Sequence, residues 1–256
     1  MRPMEWYMEY EIHHDRPGLL GDVATFLGLM GVNIVMINGI TNRKRGLLLK
    51  CSDAARMVTL KNALNRASNI ELTALRRPNF IDLINLKHGK IIQRDPDHPN
   101  SFRFVREELG MLVDFLGAVL SRQRPVIGVR GMPRVGKTEA AIAACVHANK
   151  KWVIVSSTLM RQIMRTTLLD DEKGPDCVYI IDGIVSGVRS GKEHKDLVLD
   201  VLSYPAPKII EHPDIFLREF NLDKEILDYR LELRRNQDEV IDYQLVTQSF
   251  SAFDIS

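Results

Sequence analysis

Apolar residues alternate with polar ones from Glu5 to His14, with Trp6, Met8, Tyr10 and Ile12 in phase, and that period predicts a strand. Asp15-Arg16-Pro17-Gly18 reads as a turn. From Leu19 to Met30 the spacing becomes helical, with Leu20, Val23, Phe26 or Leu27, and Met30 on one face and Gly31 as the stop. Strands are expected over Asn33 to Ile40 and Gly46 to Cys51, joined by the basic turn Thr41 to Arg45. A second helix is expected over Asp53 to Asn65, capped by Ser52 or Asp53, and a last strand over Ile70 to Leu75. Residues 78–101 then turn polar and rich in Pro, Asp and Asn, which reads as a connector with one short strand near Ile91 and Ile92. Helical spacing returns from Phe102 to Arg122 through Val105, Leu109, Leu112, Val113, Leu116 and Leu120. Short apolar runs at Val126 to Val129, Lys151 to Val155, Cys177 to Asp182 and Lys208 to Glu211 predict buried strands. Helices are expected over Glu139 to Asn149, with Ile142 and Val146 on its apolar face, over Leu159 to Leu169, and over Glu225 to Arg235.

This pattern predicts three regions: a β-α-β-β-α-β block over 1–77, a linker over 78–101, and an α/β domain with a mainly parallel sheet over 102–256. The first block describes a small ferredoxin-like sheet with helices on one side. A hydrophobic fraction of 45% suits a folded chain, and a formal charge of +2 gives no electrostatic case for nucleic acid. No apolar run is long enough to span a bilayer, and the acidic and aromatic start is not a secretion signal. Cys51, Cys145 and Cys177 are widely separated and have no metal-ligand spacing. A cytoplasmic protein with buried, inert thiols is the expectation.

The chemistry concentrates in Gly131-Met-Pro133-Arg134-Val135-Gly136-Lys137-Thr138, which fits the spacing of a phosphate loop between a strand and a helix. Successive backbone N–H groups and the positive end of the following helix suit the β- and γ-phosphates of a nucleotide. Gly131 and Gly136 keep the turn clear, Lys137 would reach the phosphate oxygens, Thr138 would ligate Mg²⁺, and Glu139 completes the segment. Asp182 ends an apolar strand, where a carboxylate can orient a magnesium-bound water or cap the turn that begins at Gly183. Lys137 and Asp182 are thus the candidate catalytic pair, and Thr138 and Asp182 the candidate metal-site residues. Ser156, Arg161, Arg165, Arg189, Lys192, His212 and Asp214 are weaker candidates that equally suit turns, caps and solvated faces. The arginines at 230, 234 and 235 read as a charged face or interface.

Asp15-Arg-Pro-Gly-Leu-Leu-Gly-Asp22, followed by the helix and Gly31-Val-Asn-Ile34, resembles the ACT family of small-molecule regulatory domains over about the first 75 residues. The resemblance implies an amino acid or other effector near the first turn and helix, with Gly18, Gly21 and Asn33 the nearest candidates, often at a subunit interface. Gly18 making a turn and Gly21 packing a helix, in a structural or dimerising domain, is the alternative. An exposed edge strand offers a route to a homo-oligomer.

The phosphate loop, with the approach segment Phe104-Val-Arg-Glu-Glu-Leu109, resembles AAA-like and STAND-type P-loop NTPases over roughly 103–182. That implies ATP, magnesium and nucleotide-dependent switching. Gly183 stands where many active members carry a second acid, so weak ATPase activity is expected. Tyr179-Ile-Ile-Asp-Gly183 also resembles adenylate-kinase-like folds, which keeps a small-molecule kinase open, and a nucleotide-stabilised dimeric scaffold is the non-enzymatic reading. The joined domains resemble an uncharacterised protein family of Bacillus-like Firmicutes.

Overall fold

The structure is a computed structural model, which describes residues 4–156, 167–187 and 191–242. The chain divides into two compact units, Met1–Ile92 and Gln93–Ser256.

The first unit contains β1 (Met4–Ile12), α1 (Leu19–Leu29), β2 (Asn33–Gly39), β3 (Lys44–Cys51), α2 (Ala54–Leu64), β4 (Ile70–Arg76) and α3 (Phe80–His88). Its sheet runs β2-β3-β1-β4, with every neighbouring pair antiparallel. Met8, Tyr10 and Ile12 point with Leu47 and Leu49 toward Val23 and Leu27 of α1 and Leu60 and Leu64 of α2. The Asp53 carboxylate caps α2 by accepting from the Ala55 amide at 2.9 Å. The expected apolar face of α1 is rotated: Leu19 is buried, whereas Leu20 stands exposed.

The second face of this sheet is covered too. Tyr7 and Leu48 alternate with the core positions and pack against Leu86 of α3, so both faces of β1 and β3 are apolar and both need a cover. This helix lies inside the segment expected to be a connector. Its polar residues are fixed structural partners: Asn79 and Asp82 form a reciprocal cap, Arg76 pairs with Asp82, and the Asn85 side chain accepts from the Ile92 amide at 2.9 Å.

The second unit contains β5 (Gln93–Arg94), β6 (Ser101–Val105), α4 (Leu109–Leu120), β7 (Val126–Arg130), α5 (Lys137–His147), β8 (Lys151–Val155), β9 (Cys177–Asp182), α6 (Gly183–Gly187), α7 (Lys192–Ser203), β10 (Lys208–Glu211), α8 (Pro213–Glu219) and β11 (Tyr229–Arg234). The sheet order is β5-β6-β11-β7-β10-β9-β8, parallel throughout except for the β5–β6 edge.

Two expected helices are partly or wholly strands. Phe102 and Phe104 are buried on either side of exposed Arg103, a period of two, and both rings contact Phe115 of α4, with centroids 4.8 and 5.8 Å apart. The helix there starts only at Leu109. Likewise Leu231 and Leu233 alternate inward on β11, between β6 and β7, and only the short turn Lys224–Ile226 is helical. On α5 the buried face is Ala140, Ala141, Ala144 and Cys145, while Val146 is exposed. Most of the helix expected over Leu159 to Leu169 falls outside the described residues.

Candidate functional site

β7 lies inside the parallel sheet, between β11 and β10, and the chain leaves its C-terminal end at Arg130. Ligand crevices of open α/β sheets form at that end of the strands. Gly131 follows with φ 157°, and a Cβ there would stand 2.5 Å from the Leu233 carbonyl oxygen on β11. Gly136, with φ 111°, is the residue from which α5 starts. Between them Val135 is fully buried and anchors the loop, Pro133 is half-buried, and Arg134 takes a left-handed φ of 62°. The Arg134 carbonyl accepts from Arg106 at 2.8 Å.

Lys137 opens α5 and turns back over the loop. Its Nζ donates to the Gly131 carbonyl at 3.0 Å and to the Met132 carbonyl at 2.9 Å. The side chain is 5% exposed, and burial pushes its pKa below the usual lysine range, against the opposing pull of the Glu211 and Asp182 carboxylates. Thr138, the next residue, donates its hydroxyl proton to Glu211 Oε1 at 2.6 Å. Glu211 ends β10. Burial raises its pKa, while the Thr138 bond and the Lys137 charge hold it down. Glu139 is exposed, with Oε2 3.4 Å from where a Cβ on Gly136 would stand.

Asp182 ends β9, one strand further along the sheet. Its Oδ1 accepts from the Ile184 and Val185 amides at 3.0 and 3.1 Å, so it caps α6. Its charge is close enough to act on both Lys137 and Glu211. His212 follows Glu211 with φ 54°, and burial drives its pKa down to about 3, so the ring is neutral at physiological pH. Asp214 pairs with Arg130 at 2.7 Å across the base of the loop.

The loop residues Gly131 to Glu139, Asp182, His212 and Asp214 are therefore gathered at one end of one sheet. Ser156, level with Asp182 in the strand register, and Arg234, at the end of β11, share that end of the sheet, whereas Arg230 lies near the start of β11. Arg230 and Arg234 lie on β11, where Arg234 pairs with Glu232 at 2.7 Å, and Arg235 pairs with Glu239. Lys192 begins α7 in an exposed position, and Ser156 just follows β8. Arg161, Arg165 and Arg189 lie outside the described residues. Glu211 is the residue that sequence reasoning missed. Its signal was an acid ending an apolar strand run, as Asp182 does. What hid its role was that β10 inserts between β7 and β9.

In the first unit Gly18, with φ 86°, starts α1, Gly21 has open space beside it, and Asn33 begins β2 in an exposed position. A cavity of about 400 Å³ runs along α1 and the end of α2, with Leu19, Val23, Phe26 and Leu64 among its lining and the Arg16–Asp22 ion pair on it. Gly18, Gly21 and Asn33 are not part of that lining.

Among the described residues no helix is long and apolar enough to cross a membrane, and no group of three or more His, Cys, Asp or Glu is arranged for a metal ion. The ACT domain family model matches residues 11–67. A family model described as "Protein of unknown function (DUF3388)" matches residues 72–254. "Uncharacterized protein YmfK" of Bacillus subtilis (strain 168) is 45% identical over 259 residues, covering 98% of this chain and 96% of that protein. The fold of the first unit, with its helix-backed antiparallel sheet, agrees with the ACT match, and the long second match takes in the whole parallel-sheet unit. The chain thus carries an N-terminal ACT domain and belongs to the DUF3388 family.

Proposed function

We propose that this protein binds ATP at the Gly131–Thr138 loop, with Mg²⁺, and acts as a nucleotide-dependent switch that its ACT domain biases through a small molecule such as an amino acid. The carrying observation is the Lys137 ammonium, held over the loop by the Gly131 and Met132 carbonyls. A buried cation beside the first amides of α5 creates a strong preference for a compact polyanion.

The residues present suit magnesium as well. Mg²⁺ in nucleotide sites rests on few protein ligands, substrate phosphates and water, so a dedicated acidic cage is not required. Thr138 would supply one oxygen, and Asp182 would act through water. When bound, the ion would neutralise phosphate charge. The protein's own part is to orient the phosphates through the loop amides, to hold the Lys137 charge at the loop, and to keep Thr138 at the first turn of α5. The residue after Asp182 is Gly183, and this supports slow turnover at most.

Assembly belongs to the same reading. β2 is the edge of the first unit's sheet, and Val35, Met36 and Ile37 are exposed on it, which supports pairing with a second copy.

The test is calorimetric titration of the intact protein and of Lys137→Ala with ATP, ADP and GTP, with and without Mg²⁺, followed by product analysis. Binding that Lys137→Ala weakens by about 10–150-fold is expected. A wild-type protein that binds no triphosphate overturns the reading. If amino acid titration changes neither nucleotide affinity nor the mass measured by light scattering, the coupling between the domains is dropped.

A further inference from the structure

We infer that Glu211 is the positioning carboxylate of the phosphate-loop site: it accepts the hydrogen bond of the Thr138 hydroxyl and so turns that oxygen's lone pairs toward a divalent cation, a task that residue 183 is sterically barred from serving. The inference rests on the nucleotide reading and names a residue that reading does not contain.

Three observations carry it. A threonine hydroxyl has one proton and two lone pairs. With the proton committed to Glu211 Oε1 at 2.6 Å, only lone pairs remain for a ligand at the mouth of the loop. That is the state a metal ligand requires, because a proton pointing at a cation would repel it.

The second observation is where Glu211 comes from. β10 lies directly beside β7, and Glu211 stands opposite Val129 in the pairing, two residues before Gly131. It reaches the first turn of α5 from the neighbouring strand. Asp182 is one strand further away, and its Oδ1 is engaged with the amides that open α6.

The third is the packing at Gly183. A Cβ there would lie 2.5 Å from the Glu211 carbonyl oxygen, 2.8 Å from the His212 carbonyl oxygen and 2.9 Å from the Phe216 Cβ. Two of these three are backbone atoms, which cannot swing aside. An acid directly after Asp182 is therefore incompatible with this β9–β10 contact, and the same contact fixes the strand end that presents Glu211.

Glu211 acts through Thr138, so its test must read the metal and not only turnover. The full-length protein is used with ADP and Mn²⁺ as probes. ADP affinity is measured calorimetrically in EDTA, and Mn²⁺ affinity of the protein–ADP complex by the electron paramagnetic resonance signal of free Mn²⁺. Glu211→Met keeps the volume and removes the acceptor; Glu211→Gln keeps an acceptor oxygen of the same reach. The expected result is metal-free ADP affinity at or above the wild-type value for both, since each removes a negative charge beside Lys137, a Mn²⁺ affinity loss of about 10–100-fold for Glu211→Met, and recovery of most of it in Glu211→Gln. Thr138→Val gives a similar loss, and the Thr138→Val/Glu211→Met double variant loses no more than Thr138→Val alone. Unchanged Mn²⁺ affinity in Glu211→Met, or losses that simply add in the double variant, overturns the assignment while the nucleotide reading stands. A wild-type protein that binds neither ADP nor any triphosphate overturns both. Glu211→Met exchanges a buried acid for an apolar side chain of similar size, so it is expected to fold. Should it not fold, Glu211→Leu, which also removes the acceptor, and the Thr138→Val/Glu211→Leu pair read the same coupling.

Discussion

Gly183→Ala is the sharpest perturbation of this site, because it adds one methyl group and nothing else. The new Cβ would meet two carbonyl oxygens at 2.5 and 2.8 Å and a Cβ at 2.9 Å, all nearer than side chains normally approach. Relief requires moving the end of β10 or the start of α8 by several tenths of an ångström. Overpacking of this kind costs about 1–3 kcal/mol. For a domain of this size each kcal/mol lowers the unfolding midpoint by about 2–4 °C, so a drop of about 2–12 °C is expected. The chain has two tryptophans, Trp6 and Trp152, and Trp152 lies on β8 of the second unit. In a Trp6→Phe background its fluorescence follows that unit alone during thermal unfolding. Gly174→Ala is the matched control, since nothing lies within 4 Å of a Cβ at that position, and it should stay within about 0.5 kcal/mol of the parent. If Gly183→Ala melts with the control, the strand contact is looser than argued. The steric case against an acid at residue 183 then fails.

Lys137→Ala should weaken ADP binding by about 10–150-fold, the worth of a charged hydrogen bond of about 1.5–3 kcal/mol, as read by calorimetry. Asp182 separates two roles: Asp182→Asn keeps a good helix cap and should barely move the melting midpoint, Asp182→Ala should cost about 1 kcal/mol, and both should lower Mn²⁺ affinity if the charge works through water on the cation. Glu211 has its folded pKa raised by burial above the ordinary 4.5, so its contribution favours folding below the unfolded pKa and is lost as pH rises through the folded one. Glu211→Gln should therefore gain stability relative to wild type as pH rises from about 4 to 8, in denaturant titrations at each pH, with Lys137 and Asp182 as the charges facing it. Burial pushes the Cys145 thiol up to about 12 and also raises Cys177, so the native protein should resist a disulfide-exchange reagent at pH 8 and release both thiols only on unfolding.

Local chemistry was legible where one short segment carried the whole physical reason. The alternation through Trp6, Met8, Tyr10 and Ile12 placed β1, Asp53 marked the cap of α2, and the glycine spacing of Gly131 and Gly136 marked a turn that tolerates no side chain. Charged residues misled where they sat between apolar ones: Arg103 between Phe102 and Phe104, and Glu232 between Leu231 and Leu233, concealed strands because only pairing with neighbours makes an alternating segment extended. The polar run around Asn85 looked like a connector because its partners, Ile92 and the second face of the first sheet, come together only after folding.

The sequence by itself determined the ACT-like order of elements, the loop and its lysine, since these depend on neighbours along the chain. Only the tertiary structure decided which carboxylate meets Thr138. That choice follows from β10 inserting beside β7, and strand order is a property of the assembled sheet that no stretch of residues between positions 138 and 211 expresses alone.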